Sequence, residues 1–185
     1  MLIDRASRVF LTCALVGAVW PATGRAQAVN PQAAALADFA KRIADYQDLE
    51  KKVAAGFPPL QKTDDPAEIS GRETMTGDAV RAARSAARPG DIFAPVAKFF
   101  RSEIKADFRK RSPHGQKLVL DQIPHFRPKV NQTYPAAFPL ATFPPSLLAT
   151  LPELPEGLEY RFLSDALILR DVKANIIVDF ILDIF

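Results

Sequence analysis

Few side chains in this 185-residue chain are equipped for catalysis or metal binding. His114 and His125 are the only histidines, and no second histidine or cysteine stands near either at metal-ligand spacing. His114, in Ser-Pro-His-Gly, is expected to be an exposed loop residue. His125, in Pro-His-Phe, is expected to pack against aromatic rings. No serine lies in a G-x-S-x-G elbow, and there is no Walker A loop, G-x-G-x-x-G or H-E-x-x-H. Glu68, Glu73, Glu153 and Glu156 show no spacing that would pair them for acid–base work, and the last two flank prolines, where a solvated loop is expected. No metal site and no cofactor is expected, and no catalytic residue is assigned. A small envelope hydrolase with a carboxylate or His125 as base remains the alternative, and it needs a concave site that unites histidine with acids.

One charge pattern stands out. Arg81, Arg84 and Arg88 recur at steps of three and four, and Lys98, Arg101, Lys105 and Arg109 do the same further on. If the two segments form a helical hairpin, the stripes merge into a candidate binding face for an envelope protein or an anionic envelope polymer. Asp78, Glu103 and Asp107 are interleaved, so local pairing and solvation compete with that role.

The start of the chain sets the compartment. Arg5 and Arg8 precede an apolar run, Val9 to Trp20, too short to span a bilayer, and Ala26-Gln27-Ala28 follows as a small-x-small cleavage pattern. Residues 1–28 are expected to be a signal peptide cut after Ala28, which leaves no transmembrane segment. The chain's one cysteine, Cys13, would leave with the signal, so no disulfide or thiolate site is expected. Removing Arg5, Arg8, Arg25 and Asp4 leaves 21 basic and 20 acidic residues. Such a balance argues against nucleic acid as a partner.

Residues 29–185 are expected to form a single α+β domain in three parts. The first, 29–111, reads as three helices. Asn30 and Pro31 open the first, whose apolar stripe is Leu36, Phe39, Ile43, Tyr46, Leu49 and Val53, with Gly56 at its C′ position. The second starts near Asp65-Pro66 and ends before Arg88-Pro89-Gly90; Gly71 and Gly77 weaken it, and its alanines allow a close neighbour. The third starts between Asp91 and Pro95, carries Phe93, Val96, Phe100 and Ile104 on one face, and ends by Arg111. Residues 112–157, rich in proline, are expected to be an extended strap across the helices, with a short strand at Leu118–Leu120 and one helical turn from Ser146 to Thr150. Residues 158–185 read as an antiparallel β meander. Leu158, Tyr160 and Phe162 share one face of its first strand, Ser164-Asp165 turns the chain, and Ile176, Val178 and Phe180 share a face of the third strand. For 177–185 an amphipathic helix with Asp179 and Asp183 outward is the competing assignment. The terminal Phe185 suggests an outer-membrane barrel, but the helical first half leaves too little chain for the eight strands one needs.

The closing stretch, Leu151 through Tyr160-Arg161-Phe162, Leu167-Ile168-Leu169-Arg170-Asp171 and Ala174-Asn175-Ile176-Ile177-Val178-Asp179, resembles a family of uncharacterised exported bacterial proteins with a Y-R-F…L-x-L-x-D…A-N-x-I-V-D ending. Gly90-Asp91-Ile92-Phe93 is similar to the same family. The last 35 or so residues more distantly resemble periplasmic proteins of the nickel and cobalt homeostasis (RcnB-like) type. The resemblance implies export, with the periplasm favoured over the medium, and a shared fold; it implies no activity. The expected function is a non-enzymatic binding or structural module of the cell envelope, using either the basic face or the edge of the small sheet.

Overall fold

The computed structural model describes residues 30–58, 63–135, 137–138 and 142–185. The expected signal peptide, with Cys13 and the Ala26-Gln27-Ala28 pattern, lies outside them. The described chain is α+β: helices α1 (Pro31–Ala54), α2 (Pro66–Ala83), α3 (Ala97–Lys110), α4 (Pro113–Leu120) and α5 (Pro145–Leu148), then strands β1 (Leu158–Leu163), β2 (Ala166–Asp171) and β3 (Ile176–Ile181). The strands form one antiparallel sheet in the order β1-β2-β3.

The helix starts follow from local chemistry. Asn30, Asp65 and Ser112 each accept a backbone N–H of the first turn, and each is followed by a proline whose missing donor costs nothing there. Ser112-Pro113 therefore opens a helix, and the expected strand at Leu118–Leu120 is instead the last turn of α4. Gly56 is not left-handed; α1 closes through tight turns, with Gly56 N–H donating to Val53 and Phe57 N–H to Ala54. The second helix ends at Ala83, earlier than expected, because Ala86 and Ala87 fall in the turns before Gly90.

The sheet buries both faces. On one side lie α1, α3 and the turn 91–96, which contribute Phe39, Ile43, Phe93, Val96, Phe100 and Ile104 against Tyr160, Leu167, Leu169 and Ile176. Phe39, Phe93, Phe100 and Tyr160 form one cluster with ring centroids 5.5–6.4 Å apart. Each such pair adds about 1 kcal/mol beyond burial. On the other side the strap lays Tyr134, Phe126 and Phe138 on Leu163, Ile168 and Ile177.

A bulge in β3 changes the expected alternation. Leu169 opposes Asp179 and Arg170 opposes Ile177, so Val178 is the extra residue. Beyond it the phase flips. Ile176 and Val178 face the helices as expected, but Phe180 faces the strap. Asp179 turns inward and has no exposed surface, which removes the amphipathic-helix assignment for 177–185.

α2 packs on α1, and α3 on α5, so the expected α2–α3 hairpin does not form. α2 also approaches the β2–β3 turn closely. A Cβ on Gly77 would lie 2.7 Å from the Ala174 carbonyl oxygen, whereas a Cβ on Gly71 would meet nothing within 4 Å. Gly71→Ala is therefore expected to stabilise the protein by about 0.5–1 kcal/mol, while Gly77→Ala destabilises it. Denaturant unfolding of the two variants measures both signs.

Candidate functional site

The seven basic residues separate into struts and free charges. Arg84 donates to the Val178 carbonyl (3.0 Å) and to Asn131 Oδ1 (2.7 Å), and its guanidinium lies 5.1 Å above the Tyr46 ring. Burial holds its pKa below the usual guanidinium value. Arg101 donates to the Leu182 carbonyl at 2.8 Å. Arg81 pairs with Asp78 and donates to Thr133 Oγ1. These three arginines pin α2 and α3 to the β3 side of the sheet. Arg88, Lys98, Lys105 and Arg109 make no side-chain hydrogen bond or ion pair among the described residues. Lys98, Lys105 and Arg109 share one flank of α3, separate from the stripe on α2.

The same contacts cover much of the outer edge of β3. Backbone bonds from Asn131 to Ile177, Ile177 to Gln132 and Tyr134 to Asn175 cover its first half. Arg84 and Arg101 then cap two of the carbonyls that follow.

The outer edge of β1 is different. A two-residue turn joins Leu163 to Ala166, with Ser164 at φ +53°. That turn makes Leu163 and Ala166 a hydrogen-bonded pair, and alternate pairs follow down the ladder. Val172 N–H donating to Gly157 at 2.8 Å confirms the phase at the far end. The N–H and C=O groups of Tyr160 and Phe162 must then point away from β2. Among the described residues no backbone group meets them.

A cleft of about 660 Å³ runs beside this edge. Its apolar wall is Phe143, Leu148, Leu154 and Leu158, and Thr142, Glu153 and Arg161 stand among its polar residues. Leu148 is 55% exposed, although α5 anchors its neighbour Leu147 in the core. Phe143 stacks near Phe162 (4.7 Å) and Tyr160 (5.9 Å), and the Tyr160 hydroxyl donates to the Pro152 carbonyl at 3.0 Å. Burial pushes that phenol's pKa upward, so it stays a neutral donor. Glu159, on the opposite face of β1, is bridged by Arg161 (2.5 Å) and Arg170 (2.8 Å). Arg170 also donates to Asn175 Oδ1 and lies 4.9 Å from the Tyr134 ring centroid.

The two histidines do not contribute. Both are exposed, and neither lines this cleft. His125, expected to pack against aromatic rings, is instead exposed. Neither histidine stands with Glu153 or Glu159 in this cleft, the union of histidine and acid that a histidine-based hydrolase needs. Among the described residues no three His, Cys, Asp or Glu side chains converge as a metal site. None of the helices there is long and apolar enough to cross a membrane. Glu153 and Glu156 are exposed, as expected.

Two internal carboxylates escaped the sequence reasoning. Asp179 accepts N–H groups from Gly90 (2.7 Å), Ile92 (2.8 Å), Phe93 (2.8 Å) and Phe180 (2.9 Å). Burial raises its pKa, and the four donors pull the other way. Asp171 accepts from the Tyr46 hydroxyl (2.6 Å) and the Ala174 N–H (2.9 Å). The A-N-x-I-V-D and L-x-L-x-D patterns contained both residues, but nothing in their spacing told a structural acid from a reactive one. Compared with protein families, curated proteins and solved structures, the chain finds no match in any of the three.

Two outcomes test this geometry. Asp179→Ala leaves three loop N–H groups without their acceptor, and a loss of about 3 kcal/mol or more is expected in denaturant unfolding. For Glu159, burial opposes ionisation, but hydrogen bonds from Arg161 and Arg170 outweigh it and hold the carboxyl below its ordinary 4.5. Its stabilisation is therefore present above that value and lost as pH falls through the lower folded value. Glu159→Gln is expected to be less stable at neutral pH and to show a shallower loss on acidification, measured as melting temperature against pH.

Proposed function

We propose that this chain is an exported protein of the cell envelope, favoured in the periplasm, that acts without catalysis by holding another macromolecule at the β1 edge cleft. The observation that carries this is the contrast between the two sheet edges. β3 is largely covered by backbone bonds and arginine caps, whereas Tyr160 and Phe162 direct backbone donors and acceptors outward, unmet by any described backbone group, beside an apolar cleft with an exposed Leu148. An open strand edge beside side-chain pockets suits recognition of another chain. Export rests on the signal pattern of residues 1–28, and the periplasm on the family resemblance of the closing stretch.

A second reading places an anionic envelope polymer on α3, where Lys98, Lys105 and Arg109 share a flank without local partners. Arg81, Arg84 and Arg101 are poor probes of it, because each also holds the fold together.

In-cell crosslinking in the native host separates the two. Leu148→Arg is expected to abolish a recurrent envelope crosslink, while Lys98→Glu with Lys105→Glu leaves it intact. The opposite pattern would move the site to α3. A crosslink indifferent to both sets would remove the binding reading, provided circular dichroism shows the variants folded.

A further inference from the structure

We propose that the occupant of the β1 edge is an extended polypeptide segment of a partner protein, added as a fourth strand, with apolar residues at alternate positions and a Lys or Arg beside Glu153. This rests on the cleft reading above and names the chemistry of what binds there.

The edge itself selects for polypeptide. Tyr160 and Phe162 lie two residues apart, so their outward N–H and C=O groups repeat at about 7 Å, the two-residue repeat of an extended strand. A strand supplies complementary groups at the same repeat, and an apolar small molecule supplies none. The cleft supplies the alternation. Side chains of the added strand on the helix side would meet Phe143, Leu148 and Leu154, and those on the other side would lie over Arg161. Period-two patterning matches that division of environments.

Charge gives the third element. Glu153 lies on the cleft and is exposed, with no hydrogen bond or ion pair among the described residues. Glu159, by contrast, already serves two arginines. A cation on the incoming segment therefore has one unclaimed carboxylate to meet, at Glu153.

The test uses the full chain, immobilised, and a random ten-residue peptide library displayed on phage. The expected result is enrichment of sequences with alternate apolar residues and a Lys or Arg. Synthetic versions should slow hydrogen exchange at the Tyr160 and Phe162 amides. They should bind Leu148→Arg at least tenfold more weakly, and Glu153→Lys should lose the preference for a basic residue. No enrichment, or peptides that bind Leu148→Arg equally well, would overturn the inference. So would a dimer in sedimentation of the protein alone with those two amides already protected, because a second copy would then hold the edge. If peptides fail while the in-cell crosslink remains dependent on Leu148, the cleft reading stands and only the polypeptide occupant falls. Loss of both removes the two together.

Discussion

The carboxylate of Asp179 is the contact on which the rest of the arrangement depends. It is fully buried, and a buried carboxylate is tolerated only where donors replace water. The donors are the backbone N–H groups of Gly90, Ile92 and Phe93, so one side chain of the third strand fixes the turn that precedes α3. Gly90 adopts φ +91° there, a conformation that favours a residue without a Cβ. Arg42 reinforces the turn by donating to the Asp91 carbonyl. With the turn set, Phe93 and Val96 enter the core, and Phe93 stacks beside Tyr160 at the base of the cleft. The chain of consequence thus runs from a C-terminal acid, through an interior turn, to the aromatic wall behind the β1 edge.

The bulge is what allows it. Strict alternation from Ile176 would turn Asp179 toward the strap, where Tyr134 and Ile168 present an apolar surface. The extra residue Val178 reverses the phase, delivers Asp179 to the Gly90–Phe93 turn and sends Phe180 to the strap core. It also leaves the Val178 carbonyl outside the regular ladder, and Arg84 caps that group. Arg84 is a partly buried cation whose desolvation is offset by hydrogen bonds and by the Tyr46 ring. What reads in sequence as a surface charge stripe is in part the hardware of an irregular strand.

Much of the fold was legible because local chemistry decided it. Asn30-Pro31 and Asp65-Pro66 start helices wherever they occur before a helical sequence, and the period-two run Leu158-Glu-Tyr-Arg-Phe fixes the faces of β1. Ser112-Pro113 carried the same signal, but the apolar triplet Leu118–Leu120 outweighed it in the expectation of a strand. What stayed hidden was non-local. No spacing rule reports that Asp179 and Gly90 meet across 89 positions, or that Arg84 points at a strand rather than at solvent. The expected alternatives for the site, basic face or sheet edge, were both visible. The proposal of the sheet edge over the basic face rests on which edge the described residues already cover, and that is a non-local property.

An edge that no described backbone group covers is ordinarily a liability, since it pairs with any extended chain. β1 limits that exposure in three ways visible in its own residues. It is short, at six residues, and it carries the charges of Glu159 and Arg161 on one face. It is also preceded by Pro152 and Pro155, with Leu158 N–H already donating to the Pro155 carbonyl, so the strand cannot be extended backwards. At the other end Ser164 N–H donates to Pro124. Among the described residues, the Leu158 carbonyl and the N–H and C=O groups of Tyr160 and Phe162 are what is left between these stops. Two residues of ladder give a partner little affinity by hydrogen bonding alone, because each bond exchanges for one with water. On the proposed reading, discrimination would then come from the side-chain wall of Phe143, Leu148 and Leu154, and an edge so narrowed would admit a segment that fits that wall while offering little to an arbitrary strand.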